Sequence, residues 1–458
     1  MPEPEVSPEQ VDATIKSRAF IVLLVVAAIV GVVVSLAAWC FLELVHQIQQ
    51  GVFVHLPSDL GYHSGATPWW LLAVLAIAGL IVAFAIVRLP GNGGHIPAHG
   101  LVTGGGPTLP IELPGITLAA IAAIGLGVVL GPEAPLIALG AGLAVLTIRL
   151  ARRDIPPEVL TVVAAAGSFA AVSFLFESPL IAAVIMIEAT GLGGPKLRLV
   201  LLPGLLAAGI GTLVSIGMGS WTGLSTSAYA LGSVSLPAFA RPDIADFGWT
   251  IALAIAIAAV TAVILRGGRA TERVATPRPF LVLPVVGLII AGLAIAFQQT
   301  TDKGFAEVLF SGQDALPGLV ANAPTWSLSA LALLIVFKGV AYSLSLGSFR
   351  GGPTFPAIFL GAAAGIMAGH LPGFSITPAV AVAMGAGTAA VLRLPLSAVV
   401  IASVLTAKAG AGAEPLVIVG VVVAYVVSIR LSAPAAADTA SAPPAQTPPA
   451  GSTPEVAT

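Results

Sequence analysis

The chain has 458 residues, 57% of them hydrophobic and only 9% charged, with a formal net charge of −2. A soluble globular protein carries about 25% charged residues. With a mean hydropathy of +1.03 the chain is therefore expected to be an all-α polytopic membrane protein, not a large soluble enzyme. Near-neutral charge argues against nucleic-acid binding and polybasic attachment to lipid. Cys40 is the only cysteine, which excludes an intrachain disulfide and a cysteine metal cluster. The six histidines are scattered, so no metal or other cofactor is expected.

In chain order, residues 1–17 read as a short extramembrane tail, acidic and without the basic start of a signal peptide. A first helix is expected from Phe20 to Leu44, then a loop containing Pro57, Asp59, His63 and Pro68. Trp69 and Trp70 open the next span as interface anchors, and it runs to about Val87. The run from Arg88 to Pro97 cannot continue a helix. It is either an exposed loop or the lead into a half-helix from about Pro97, and Gly104-Gly105-Gly106-Pro107 is a further breaker. Helices are expected over 113–130, 134–148 and 158–174. After Phe176-Glu177-Ser178-Pro179 an apolar piece reaches Glu188, Gly191 to Pro195 ends it, and Leu199 to Ile216 is the next helix. A Ser/Gly loop covers 217–234.

The second half begins with a span at 249–265, followed by Arg266, Arg269, Arg273 and Arg278 in a loop. With Arg149, Arg152 and Arg153 these mark cytoplasmic connections by the positive-inside rule. Further helices are expected at 280–297, 326–345, 355–369, 375–390, 396–407 and 414–429, with a short amphipathic piece at 305–312. The Ala/Pro/Ser/Thr-rich stretch that follows is expected to be disordered. This divides the chain into tail 1–17, a first transmembrane repeat 18–235, a second repeat 236–430 and tail 431–458.

The halves are duplicated. Gly131-Pro132-Glu133-Ala134-Pro135 is echoed by Gly352-Pro353-Thr354-Phe355-Pro356, and Ser178-Pro179-Leu180 by Leu394-Pro395-Leu396. Paired helix breaks in two halves point to a membrane transport site. Glu133 lies between two uncharged apolar runs, where a carboxylate is costly. Its Gly-Pro break opens a helix whose first amides lack intrahelical partners and suit an anion. Glu133 either gates that anion position or merely caps the helix. Chloride fits an amide-and-hydroxyl site, with Thr354 the one hydroxyl in the two motifs. Lys338, alone in an apolar run, bonds carbonyls at a broken helix, adds positive potential near an anion route, or snorkels. Glu188 faces a water-filled cavity or solvent at a helix end.

These motifs resemble those of the CLC family of chloride channels and chloride/proton antiporters, over about residues 20–430. Gly131 to Pro135 is similar to the family's GREGP motif, Gly352 to Pro356 to GxFxP, Gly93-Gly94-His95-Ile96-Pro97 to GSGIP, and Phe176 to Leu180 to FNAPL. Lys338 with Gly347-Ser348 matches the stretch before the third anion-binding motif. The resemblance implies an inverted repeat of tilted and broken helices, and a homodimer with a separate pore per subunit. It makes Glu133 the gate and puts anion-binding groups around Gly94, His95, Ile96, Pro135, Thr354 and Phe355. It also implies a lipid-embedded, non-enzymatic protein of the prokaryotic inner membrane, of the type lacking cytoplasmic CBS domains. Three departures stand out. The central-site serine falls on Gly94, the central-site tyrosine has no match (Tyr425 lies in the preceding helix), and Ala189 occupies the internal proton-relay position with Glu188 one residue before it. Passive, proton-gated chloride conduction is the reading these favour. The alternatives are chloride/proton exchange through Glu188 or a water path, or another small anion such as fluoride or nitrate.

Overall fold

The computed structural model describes residues 7–62, 65–101, 106–152, 154–191, 194, 197–224 and 232–432. The first half contains α1 (Pro8–Ile15), α2 (Arg18–Gln50), α3 (Leu56–Asp59), α4 (Pro68–Arg88), α5 (Leu113–Gly125), α6 (Glu133–Ala151), α7 (Pro157–Phe176), α8 (Pro179–Thr190) and α9 (Leu197–Thr222). The second contains α10 (Ile244–Ala275), α11 (Pro279–Thr301), α12 (Leu316–Ala321), α13 (Leu328–Ser348), α14 (Thr354–Ala368), α15 (Ile376–Leu392), α16 (Pro395–Leu405) and α17 (Glu414–Leu431). Among the described residues, nine helical segments are long and apolar enough to cross a membrane. Their outer faces are apolar as well: Val22, Ile216 and Val263 are all exposed, as lipid contact requires.

The packing is two-fold. α6 lies on α7 as α14 lies on α15, and α2 on α9 as α10 on α17. Equivalent elements also meet each other: α4 packs on α11 and α8 on α16. Glycine permits the first of these contacts. A Cβ at Gly79 of α4 would overlap the Leu283–Pro284 backbone of α11, and one at Gly287 of α11 would overlap the Leu75 backbone of α4. The third meeting is backbone to backbone. Gly131 and Gly352 form an antiparallel bridge, Gly131 N–H donating to Gly352 O at 2.8 Å and Gly352 N–H to Gly131 O at 2.5 Å.

Several expected boundaries move. The tail contains α1, whose Ser7 cap and Gln10 form a capping box. α2 continues past Leu44 through a π turn (Gly51–His55) into α3, so Pro57 and Asp59 are helical, not loop. His63 lies outside the described residues, as do Gly104, Gly105, Arg153, Leu192, Gly193, Pro195 and residues 433–458. α5 stops at Gly125, short of 130, because Gly127 turns left-handed (φ +95°), and irregular chain then leads to the bridge. Pro97 starts a single 3-10 turn, Pro97–His99, not a half-helix. α9 extends to Thr222, into the expected Ser/Gly loop. Arg266, Arg269 and Arg273 are on the last turns of α10, and only Arg278 follows it. The 305–312 piece is a 3-10 turn, Phe305–Glu307, and irregular chain.

Candidate functional site

The bridge sets the site. Pro132 and Pro353 follow the paired glycines, and α6 and α14 start at the next residues, Glu133 and Thr354. Two helix N-termini from opposite halves therefore begin side by side, with first-turn amides that have no intrahelical partner. Pro135 and Pro356 lie in these first turns and have no N–H to give. Glu133 is buried, and its side chain crosses to the other repeat, where Oε1 accepts the Thr354 N–H. A Cβ at Gly352 would overlap the Glu133 carboxylate, and one at Gly131 would overlap Oε2 and the Phe355 ring. Both glycines are thus needed for the carboxylate to lie where it does.

Among the described residues, two polar atoms at the site find no hydrogen-bond partner: Glu133 Oε2 and Thr354 Oγ1, both buried. Such atoms are expensive to leave alone. A polar guest at this point would find a hydroxyl and a helix N-terminus ready for it. Phe355 closes the site from one side and stacks on Phe176, the last residue of α7, at 5.4 Å and 20°.

Two supporting residues complete the frame. Tyr342 of α13 is fully buried and donates its hydroxyl to Pro353 O, bracing the turn before Thr354. No motif in the sequence marks it. A buried tyrosine in an apolar helix needs a partner for its hydroxyl, and that was the available signal. Lys338, also buried, donates from Nζ to the carbonyls of Glu307, Val308, Leu309 and Phe310 at 3.0–3.3 Å and lies 4.5 Å from the Phe359 ring centre. It therefore pins a broken backbone segment and does not snorkel.

Gly94, His95 and Ile96 belong to a loop with four successive left-handed residues, Gly91, Asn92, Gly93 and Gly94 (φ +80°, +51°, +71° and +99°). Such backbone favours glycine or asparagine, which accounts for a glycine in place of serine at 94. Among the described residues, none of these three hydrogen-bonds to Glu133. The His95 ring turns back on its own loop, Nε2 pairing with Gly100 O at 2.7 Å.

Cavities flank the site. One, of about 250 Å³, is lined by His46, Gln49, Phe53, Gln313 and Asp314 and reaches Pro132, next to Glu133. Burial pushes the Asp314 carboxyl above its ordinary range, with nearby His46 opposing that. The other, of about 300 Å³, is lined by Asn92, Gly94, Ile96, Gly347, Ser348 and Arg350, with Ile86 of α4. The first borders the end of α2 and the π turn after it, whose Val52 O accepts from Trp70 Nε1 at the start of α4; the second borders α4's other end. α4 itself is 21 residues, about 30 Å of helix.

Glu188 is placed elsewhere. Its carboxylate caps α16 of the other repeat, accepting from Leu396 N at 2.9 Å, Ser397 N at 2.7 Å and Ser397 Oγ at 2.6 Å. Glu177 takes a left-handed backbone (φ +49°) at the end of α7, as Arg393 does (φ +57°) at the end of α15.

A fold of broken, inverted helices around an acid-bearing pair of helix N-termini defines a membrane anion-transport protein. A family profile described as "Voltage gated chloride channel" matches residues 79–429, and the chain belongs to this CLC family. It is 31% identical over 358 residues to the "Putative ion-transport protein YfeO" of Escherichia coli (strain SMS-3-5 / SECEC), covering 77% of this chain and 80% of that one. Two solved structures share the fold. One is described as a slow cyanobacterial Cl−/H+ antiporter (TM-score 0.71, 21% identity, 89% of this chain and 94% of that one). The other is described as a CLC-type fluoride/proton antiporter (TM-score 0.69, 18% identity, 93% and 98%).

Proposed function

We propose that this integral membrane protein conducts a small monovalent anion, chloride in the first instance, and that Glu133 is its gate. The observation that carries the reading is the seating of Glu133 on the Thr354 amide of the opposite repeat. A carboxylate there occupies what an anion would otherwise use. Protonation weakens its hold on the amide, so the side chain leaves and the anion enters. Thr354 Oγ1 and the first amides of α6 and α14 then serve as donors. Amide donors without a full charge let the anion leave again, as conduction requires. Each subunit of a homodimer would carry its own route, in an inner membrane of prokaryotic type.

Passive conduction is favoured because Glu188 is tied by three donors and Ala189 follows it. A second reading is proton-coupled exchange, with Glu188 as the inner proton carrier. The descriptions of the two structural relatives favour it. Reversal potentials in reconstituted vesicles under opposed anion and proton gradients separate the two. Passive conduction predicts a reversal potential set by the anion gradient alone; movement of protons up their gradient, driven by the anion, would sink it. Running the series with chloride, nitrate and fluoride orders the anions.

A further inference from the structure

The cavity on the Gly94 side contains a charge that the gating scheme does not use. Arg350 is 7% exposed and lines the cavity together with Asn92, Gly94, Ile96, Gly347 and Ser348. Its Nε donates to Asn92 O at 3.3 Å and its Nη1 to Phe349 O at 3.2 Å. A guanidinium has five N–H donors, so most of its capacity is not used by these two bonds. Among the described residues it forms no ion pair. The acid whose field reaches it, Glu272, is engaged by His99 Nε2 at 2.9 Å. A buried cation without a carboxylate partner is costly unless something compensates it.

Two donors are missing nearby. Gly94 has no hydroxyl, and Pro353 has no N–H. Arg350 is two residues before Gly352, the glycine that pairs with Gly131, so its place is fixed by the same bridge that seats Glu133. The Cβ position of Gly93 lies 3.5 Å from Arg350 Cγ, and its left-handed loop holds Asn92 O against the guanidinium.

We propose that Arg350 forms an anion-binding site in this cavity, taking a small inorganic anion on its free N–H groups and feeding it to the Glu133 site. The inference rests on the proposed anion-transport reading and deepens it. A full charge would hold an anion too long at the constriction itself, but in a cavity before it the same charge raises the local anion concentration. The cavity borders Ala275 and Thr276 at the arginine-bearing end of α10, so it would open toward the cytoplasm under the positive-inside rule.

The test uses bromide as the probe. Crystals of the full chain soaked in bromide should show an anomalous peak within hydrogen-bond reach of the Arg350 guanidinium. The peak should vanish in Arg350→Gln and persist, weakened, in Arg350→Lys. Bromide affinity measured calorimetrically should fall about tenfold or more in Arg350→Gln, as expected for losing one charged donor. Arg350→Gln also loses two carbonyl bonds, so its elution profile and melting temperature are compared with wild type. If it does not fold, wild type and Arg350→Lys decide the question. A wild-type crystal with bromide at the helix N-termini and none beside Arg350 overturns the site. So does an Arg350→Gln protein that binds bromide as wild type does. Anion efflux from wild-type vesicles is measured alongside: no efflux together with a bromide peak at Arg350 would refute transport while leaving the site standing.

Discussion

Glu133 and Glu188 are two acids of the first repeat that reach across to helix N-termini of the second. Glu133 meets α14 and Glu188 meets α16. Glu188 is partly exposed and satisfied by two amides and a hydroxyl, whereas Glu133 is buried, with the Thr354 amide on one oxygen and no partner among the described residues for the other. On the proposed reading, that difference separates a latch from a gate. A carboxylate with three donors gains little by leaving, while one that is half satisfied and desolvated is balanced between staying and going. On that reading the same motif, an acid on a helix N-terminus, yields fixed structure or a movable plug according to how completely it is satisfied.

That contrast can be broken from either side. The largest effect is expected for Glu133→Ala, which removes the plug. Anion efflux from vesicles at neutral pH should rise about tenfold or more, the equivalent of one charge-assisted bond lost from the closed state. Next comes Gly352→Ala, whose methyl group would overlap the Glu133 carboxylate. It should raise efflux with the acid still present, at a stability cost of about 1–3 kcal/mol from overpacking, read by thermal unfolding in detergent. Glu188→Gln should do the reverse. It should cost about 1–2 kcal/mol through the lost charged cap and leave anion efflux and its pH dependence unchanged. A loss of proton-coupled flux in that variant would make Glu188 a carrier after all. The smallest effect is expected for Tyr342→Phe. Losing the bond to Pro353 O should cost about 1 kcal/mol, read as a modest drop in melting temperature.

What the sequence revealed follows the same physics. Glu133 was legible because a charge inside two apolar runs is rare, and its partner Thr354 because the Gly-Pro echo pairs them. The spans were legible from hydropathy, and the end of α7 from Ser178-Pro179. The bridge between Gly131 and Gly352 was not legible, because nothing in either glycine says which backbone it will meet 221 residues away. Glu188 reads from sequence as facing a water-filled cavity or solvent at a helix end, because its three donors come from a helix some 200 residues later. Tyr342 reads as one more large residue in an apolar helix until its hydroxyl is seen on Pro353 O. Arg350 stands beside two glycines, where a charge suggests an exposed loop, yet the turn it belongs to is buried. The stop of α5 at Gly125 depended on a single left-handed glycine, Gly127, in a run that hydropathy alone carries to Leu130.

The central claim is that the Glu133 carboxylate occupies the anion's place and leaves it on protonation. Its most direct test is anion efflux from vesicles across a pH series, wild type against Glu133→Gln, which mimics the protonated acid. Wild-type efflux should increase as the pH falls, and Glu133→Gln should be high and flat throughout. A Glu133→Gln protein that keeps the wild-type pH dependence would contradict the account.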